Sequence, residues 1–172
     1  LHDATQELMT ATGTEDVLER TATAASEVLG FPGTAVRRYD PEAELLRHVA
    51  LGARVEDIEE RPPYPVDDSP HGRALTRGET VIDDVGDNDP YDRDVFTQTM
   101  YIPIGTVGLL SVGTVGSTFG ETDVHFAEIL AENAAAAITM AETTQSLRRE
   151  RERLDLLRQV LTRAQTQHPQ RH

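Results

Sequence analysis

Arg37 and Tyr39 stand two residues apart in Thr34–Tyr39, a stretch that reads as a β-strand. Alternation places them with Ala35 on one face and Val36 and Arg38 on the other. A guanidinium and a phenol ring presented together suit the holding of a planar or carboxylated small molecule. A second group is acidic: Asp83, Asp84, Asp87, Asp89, Asp92 and Asp94 offer the oxygens that hard cations take. Their spacing does not follow a twelve-residue calcium loop, and in so acidic a chain a solvated loop is the simpler expectation. Histidines at 2, 48, 71, 125, 168 and 172 show no helical pair spacing for a metal, and no Ser/His/Asp arrangement suits nucleophilic catalysis. No metal site and no catalytic residue is assigned.

Absences narrow the chemistry further. The 172 residues include no lysine, no cysteine and no tryptophan. Without lysine there is no phosphate-loop lysine and no Schiff-base amine. Without cysteine there is no disulfide, thiolate metal site, thiol nucleophile or thioether-attached chromophore. Thirty acidic residues against 16 arginines give a net charge of −14, which repels nucleic-acid phosphates and anionic lipid heads, so neither is an expected partner. Such self-repulsion is relieved at high ionic strength, and the expected setting is the cytoplasm of a halophile. The plainer reading is an acidic domain from a GC-rich genome in which arginine replaced lysine.

The elements that must position these residues follow from local signals. Leu1–Thr12 reads as a weak helix ended by Gly13, and Thr14 is placed to cap a second helix with Glu15 and Asp16 in its first turn. Gly30 and Phe31-Pro32 stop that helix, and Thr34–Tyr39 and Leu45–Leu51 follow as a hairpin around Asp40-Pro41-Glu42. The proline-rich acidic stretch Gly52–Asp68 reads as a surface loop. Ser69-Pro70 opens a short helix that Gly78 closes, placing His71 on its surface. Thr80–Asp83 reads as a strand, and Met100–Ile104 and Leu109–Val112 as two more around Gly105-Thr106. The uncharged run Val95–Gly120 that holds this pair contains Pro103 and five glycines and is not a membrane span. No signal peptide is legible.

From about Glu121 a helix runs uninterrupted to Pro169. Phe126, Asn133, Met140, Leu147, Leu154 and Leu161 recur every seven residues, with Ile129, Ala136, Thr143, Glu150, Leu157 and Ala164 three places later. The first half is apolar on a wide face, and the second narrows to a coiled-coil seam. Residues 145–172 carry +4 and the rest −18. The arginines alternating with Glu150, Glu152 and Asp155 are what coiled-coil flanks look like.

Several of these segments together resemble a GAF domain: Leu29-Gly-Phe-Pro before a strand ending Arg-Tyr-Asp, Ser69 to Val85, Met100 to Gly113, and Phe119-Gly-Glu-Thr-Asp-Val before a long Ala-rich helix. The likeness covers about residues 1–145 and is nearest to sensor proteins of halophilic archaea. It implies an α+β fold: an antiparallel sheet with the N- and C-terminal helices on one face, loops enclosing a cavity on the other, and here a long C-terminal coiled-coil helix. A sensory domain at 1–145 and a signalling helix with a disordered tail at 146–172 follow from it. It implies no cofactor, because the fold hosts cyclic nucleotides, bilins, haem, metals and small acids, or nothing. The cysteine-linked bilin, the cysteine-dependent methionine sulfoxide reductase and the Asn-Lys-x-x-Asp-Glu cyclic-nucleotide signature are all excluded by composition.

In such a fold Arg37, Tyr39, Tyr91, Phe96 and Tyr101 are the expected ligand-binding residues, at a cavity bounded by the sheet, the Ser69 helix and the Asp84–Asp94 loop. The alternative is that the rings close a small core and Arg37 pairs with a surface acid. His71 is expected on a surface helix, haem ligation being its other reading. The expected function is a non-catalytic small-molecule-sensing and dimerisation module of a signalling protein, the sensory part of a histidine kinase, with a homodimer through the C-terminal helix. A ligand-free dimerisation scaffold and the sensory domain of a transcription regulator are the alternatives. Leu154–Arg163 resembles the helix before the phosphoacceptor box of halophilic kinases, and Ala164–His172 reads as that box translated out of frame. His168, beside a proline, is therefore not assigned as a phosphoacceptor.

Overall fold

The computed structural model describes residues 1–53, 62–66, 69–87, 89–91 and 93–167. His168, Asp92 and most of the Gly52–Asp68 stretch lie outside the described residues. Ten elements follow in the order α1 (His2–Met9), α2 (Thr14–Glu27), β1 (Gly33–Asp40), β2 (Leu45–Ala53), β3 (Tyr64–Pro65), α3 (Pro70–Arg77), β4 (Val81–Asp84), β5 (Gln98–Ile104), β6 (Gly108–Thr114) and α4 (Glu121–Gln167). The strands form one antiparallel sheet in the order β3-β2-β1-β6-β5-β4. This is the expected α+β architecture, an antiparallel sheet with the N- and C-terminal helices on one face.

Period-two alternation sorts the sheet into two faces. Val36, Met100, Ile102, Ile104, Leu110 and Val112 turn toward α1, α2 and α4, where Leu8, Val17, Leu18, Ala22, Leu130, Ala131, Ala134 and Ile138 complete the main core. On the other face a smaller cluster joins Leu46, Tyr101 and Leu109 to Ala74 of α3. The small residues of α4, Ala127, Ala131, Ala134 and Ala137, let its axis lie close over the sheet, so most of its burial falls between 127 and 138. Polar contacts fix α1 and α2 along it: Asn133 Nδ2 donates to Thr5 Oγ1 at 3.0 Å, and Gln145 Nε2 to the Thr12 carbonyl at 3.0 Å. Thr14 is the first residue of α2, and Gly13 is its cap. The Thr14 hydroxyl instead donates to Glu142 of α4 at 3.3 Å, a long-range partner that a local capping rule does not anticipate.

Helix α3 is short, and its two ends explain its placement. Ser69 Oγ accepts from the Gly72 N–H at 2.9 Å, Pro70 takes the first helical position, and Gly78 closes the helix in the left-handed region. A Cβ at Gly72 would fall 1.7 Å from the Val66 carbonyl oxygen, so only glycine lets residues 64–66 pass this close. Replacing Ser69 with alanine is expected to cost about 1 kcal/mol, read as a lower urea midpoint; an unchanged midpoint would show that the cap contributes nothing.

Candidate functional site

Between the outer face of the sheet, α3 and the loop from Val85 to Thr97 lies a cavity of about 70 Å³. Each wall follows from a local cause. From β1, β5 and β6 the residues on the face opposite the helices enter it: Ala35 and Arg37, Thr99 and Tyr101, Ser111 and Gly113. Gly113 lets the Phe96 ring lie over the strand, since a Cβ would stand 2.5 Å from its Cδ1 and the ring would have to shift. Tyr64 reaches the site because β3 pairs with the start of β2, Leu46 opposite Tyr64.

Arg93 organises the loop. Its Nε donates to Asp89 Oδ2 at 2.8 Å while Nη2 bonds Asp89 Oδ1, and Nη2 also meets Asp83 Oδ2 at 2.9 Å. Nη1 donates to Thr99 Oγ1 at 2.9 Å and to the Tyr101 hydroxyl at 2.8 Å. Asp89 Oδ2 accepts the backbone N–H groups of Tyr91 and Arg93 as well, so one carboxylate both turns the chain and holds the guanidinium. The Asp89 side chain is only 3% exposed. Bonding to Arg93 holds its carboxyl below the usual range. Burial alone would push the Arg93 guanidinium down, but Asp89, Tyr101 and Asp83 raise it above its ordinary value. Burial pushes the Tyr101 phenol up, with Arg93 opposing.

His71 sits at the centre of an aromatic cluster, 2% exposed. Its ring stacks on Tyr64 at 4.7 Å between centroids, lies against Tyr101 at 4.4 Å and meets Tyr91 edge-on at 5.4 Å. Burial, then the charges of Arg37 and Arg93, push its pKa down to about 3, Asp89 acting the other way. Arg37 is buried too, its Cζ 4.6 Å from the Tyr64 ring centroid and its Nη1 3.5 Å from Ser111 Oγ.

Of the five residues expected to bind a ligand, the structure brings Arg37, Tyr91, Phe96 and Tyr101 to this cavity. Tyr39 is the correction. It shares Arg37's face but lies about 7 Å further along the strand, packed on the cluster of Leu46, Ala74, Tyr101 and Leu109. His71 corrects a second expectation: α3 is a surface helix, yet it turns this residue inward. The acidic stretch corrects a third at one position: Asp89 is buried against Arg93, whereas Asp83, which also meets Arg93, stays 30% exposed and Asp84, Asp87 and Asp94 are exposed as expected. Among the described residues no group of three or more acids or histidines is placed to hold a metal ion. A larger groove of about 510 Å³ beside Glu79, Glu128 and Glu132 has no aromatic wall, and Thr80 Oγ1 donates to Glu128 there at 2.7 Å.

Tyr64, His71, Arg93, Thr99 and Ser111 were not among the expected site residues. For Arg93 a signal existed: it is the single base in Asp83–Asp94, with an acid four residues before it.

The GAF domain profile matches residues 11–139, more than half of the chain. Among solved structures, free methionine-R-sulfoxide reductase from Neisseria meningitidis in complex with its substrate is 16% identical with a TM-score of 0.70, covering 83% of this chain and 88% of that one. Residues 122 to 287 of a methyl-accepting chemotaxis protein are 18% identical, TM-score 0.66, covering 83% and 97%. The GAF domain of a two-component sensor histidine kinase from Bacillus halodurans is 18% identical, TM-score 0.62, covering 78% and 99%. Identities this low show the fold alone. No curated protein matches the sequence.

Proposed function

The chain belongs to the GAF domain family, and from that premise we propose that it is the small-molecule-sensing and dimerising module of a signal-transduction protein, with a two-component sensor histidine kinase as the parent. Strand β5 carries the reading. Thr99 and Tyr101 line the cavity, while Met100, Ile102 and Ile104 share a core cluster with Leu130, Ala131 and Ala134 of α4. A ligand that binds two states of the cavity differently thereby biases α4 through a single strand.

Helix α4 continues to Gln167, across the boundary near residue 145 that separates sensory from signalling segments. Leu147 is 67% exposed, and Leu154, Leu157 and Leu161 follow at heptad spacing, a stripe suited to the same stripe on a second copy in a parallel pair. Similarity to a chemotaxis protein and a sensor kinase supports the signalling context. A chain without cysteine has no thiol for reductase chemistry, which supports a non-catalytic role. The −14 charge supports a high-salt cytoplasm, and no described helix is long and apolar enough to cross a membrane.

The small cavity favours one alternative, a ligand-free dimerisation scaffold. Native mass spectrometry and a small-molecule thermal-shift screen at high salt separate the two: a retained or stabilising molecule is the expected result, and none in either assay would leave the scaffold. Truncation after Ser146 is expected to weaken dimerisation, and an unchanged sedimentation mass would sink the helical seam.

A further inference from the structure

Past Gln145 helix α4 leaves the domain, but the side of it that the N-terminal helices cover continues. On that side Ile138 belongs to the main core, the Glu142 carboxylate accepts from Thr14, and Gln145 donates to the Thr12 carbonyl. Leu156, Val160 and Arg163 stand 18 residues beyond these three, and 18 residues make five whole turns. They therefore point the same way about 27 Å further along the helix, where every described residue from Ser146 to Gln167 is exposed. Leu156 and Val160 are each 62% exposed. The seam for a second copy does not cover them. Its Leu147, Leu154, Leu157 and Leu161 keep the three-and-four spacing of a two-helix contact, and Leu156 and Val160 fall outside it on the adjoining face. An apolar surface this broad belongs to a helix with two neighbours.

Charge indicates the second neighbour. Arg149, Arg153 and Arg163 flank the two apolar residues, with Glu152 as the acid beside them. Arg153 meets Glu150 at 4.0 Å, an exposed pair that contributes little and leaves the guanidinium accessible. Further copies of this chain on the same face would bring arginine against arginine, and an anionic membrane would be repelled by the −18 of residues 1–144. We propose that this face docks an amphipathic helix of a partner protein, which lays an apolar strip on Leu156 and Val160 and sets carboxylates against Arg149, Arg153 and Arg163. The docked helix extends beyond the domain the layer that α1 and α2 form on α4, and it leaves the seam free for the second copy. This deepens the signalling reading and rests on α4 being its output.

The test uses the whole chain, with two synthetic helical peptides of about 20 residues as probes, identical in their leucine face and carrying Glu or Gln on its flanks. At about 0.15 M salt, the Glu peptide is expected to bind one per chain and about tenfold tighter than the Gln peptide. Against a net charge of −14, that preference has to come from the local arginines. It should shrink at about 1 M salt, where the screening length is ~3 Å. The Leu156→Gln/Val160→Gln variant should bind the Glu peptide about tenfold more weakly and keep the sedimentation mass of the unaltered chain. Both substituted side chains are exposed, so the variant keeps the fold. Equal binding of the two peptides, or binding of neither, overturns the proposal. A lower sedimentation mass for the variant also overturns it, because another copy would then occupy this face, as does binding to phosphatidylglycerol vesicles in place of the Glu peptide. A monomeric chain that still binds the Glu peptide through Leu156 and Val160 removes the dimer and keeps the docking face, so the two readings fail separately.

Discussion

Replacing Arg93 with methionine is expected to lower stability by about 3–5 kcal/mol, a large part of the ~5–15 kcal/mol that holds an ordinary domain together. The reason is the partner it leaves behind. The Asp89 carboxylate is 3% exposed and receives two charge-assisted bonds from the guanidinium, so methionine strands a buried negative charge. Thr99 Oγ1 and the Tyr101 hydroxyl lose a donor at the same time. Two controls separate this cause from a general loss of packing. The double variant Asp89→Asn/Arg93→Met removes the stranded charge and is expected to recover part of the deficit.

The pH dependence is the second control. In the unaltered chain Asp89 is held below its ordinary pKa, so its contribution is present above about pH 4 and is lost as pH falls through the lowered value. Without Arg93 the buried carboxyl binds its proton more readily, and the deficit should be largest at neutral pH and shrink toward pH 4. Urea unfolding across that range reads both effects. A deficit under about 1 kcal/mol, flat with pH, would show that Arg93 behaves as an ordinary surface arginine.

Arg93 also marks where sequence reasoning stops. Helix α3 is legible because its signals are local: Ser69, Pro70 and Gly78 do their work within one or two turns. The hairpin of β1 and β2, the pair β5 and β6, and the long α4 are legible because hydrophobic period and turn residues are properties of short windows. The candidate site is different. Tyr64 lies in a proline-rich stretch that reads as loop, and it enters the cavity only because two residues pair with β2, a long-range event with no local signature. The inward turn of His71 depends on Gly72 letting residues 64–66 pass over the helix. Alternation found the face of Tyr39 correctly but says nothing of how far along a strand a cavity extends. Asp89 looked solvated because a carboxylate's burial depends on its partner, and that partner was hidden among six acids.

The same geometry explains why one strand joins the two halves of the molecule. β5 lies between β4 and β6, away from the hairpin, and its Thr99 and Tyr101 face the cavity while Met100, Ile102 and Ile104 join the core cluster of α4. Arg93 grips the cavity side at Thr99 and Tyr101. Two hydrogen bonds thus tie the loop around Asp89 to β5, whose Met100, Ile102 and Ile104 share the core cluster of α4. The second sheet edge, β2 and β3, contributes Tyr64 to the cavity but is separated from β5 by β1 and β6.

Acidification is expected to remove about 2 kcal/mol of stability between neutral pH and pH 5, and His71 is the cause. In the unfolded chain its imidazole takes a proton near its ordinary value of 6.5, whereas in the fold burial and the charges of Arg37 and Arg93 hold it down to about 3. Between those values the unfolded state binds more protons, so stability is full above pH 6.5 and falls as pH drops toward 3. The groups that surround the ring account for the direction: Arg37 from β1 and Arg93 from the loop oppose a third positive charge, Asp89 is committed to Arg93, and Tyr64, Tyr91 and Tyr101 offer ring surface in place of water. Carboxylates with lowered values, Asp16, Asp40 and Asp89, lose their contributions only below their ordinary value of 3.8, so the range from pH 6.5 to 4.5 isolates the imidazole. High salt screens the repulsion among the 30 acidic side chains, which would otherwise change with pH in the opposite sense. The measurement is urea unfolding of the chain and of His71→Phe at pH 7, 6 and 5, because the difference between them cancels every titration they share. The variant should lack the slope of about 1.4 kcal/mol per pH unit that a single proton confers below pH 6; parallel curves would mean that His71 is protonated in the fold and is not held neutral in the aromatic cluster.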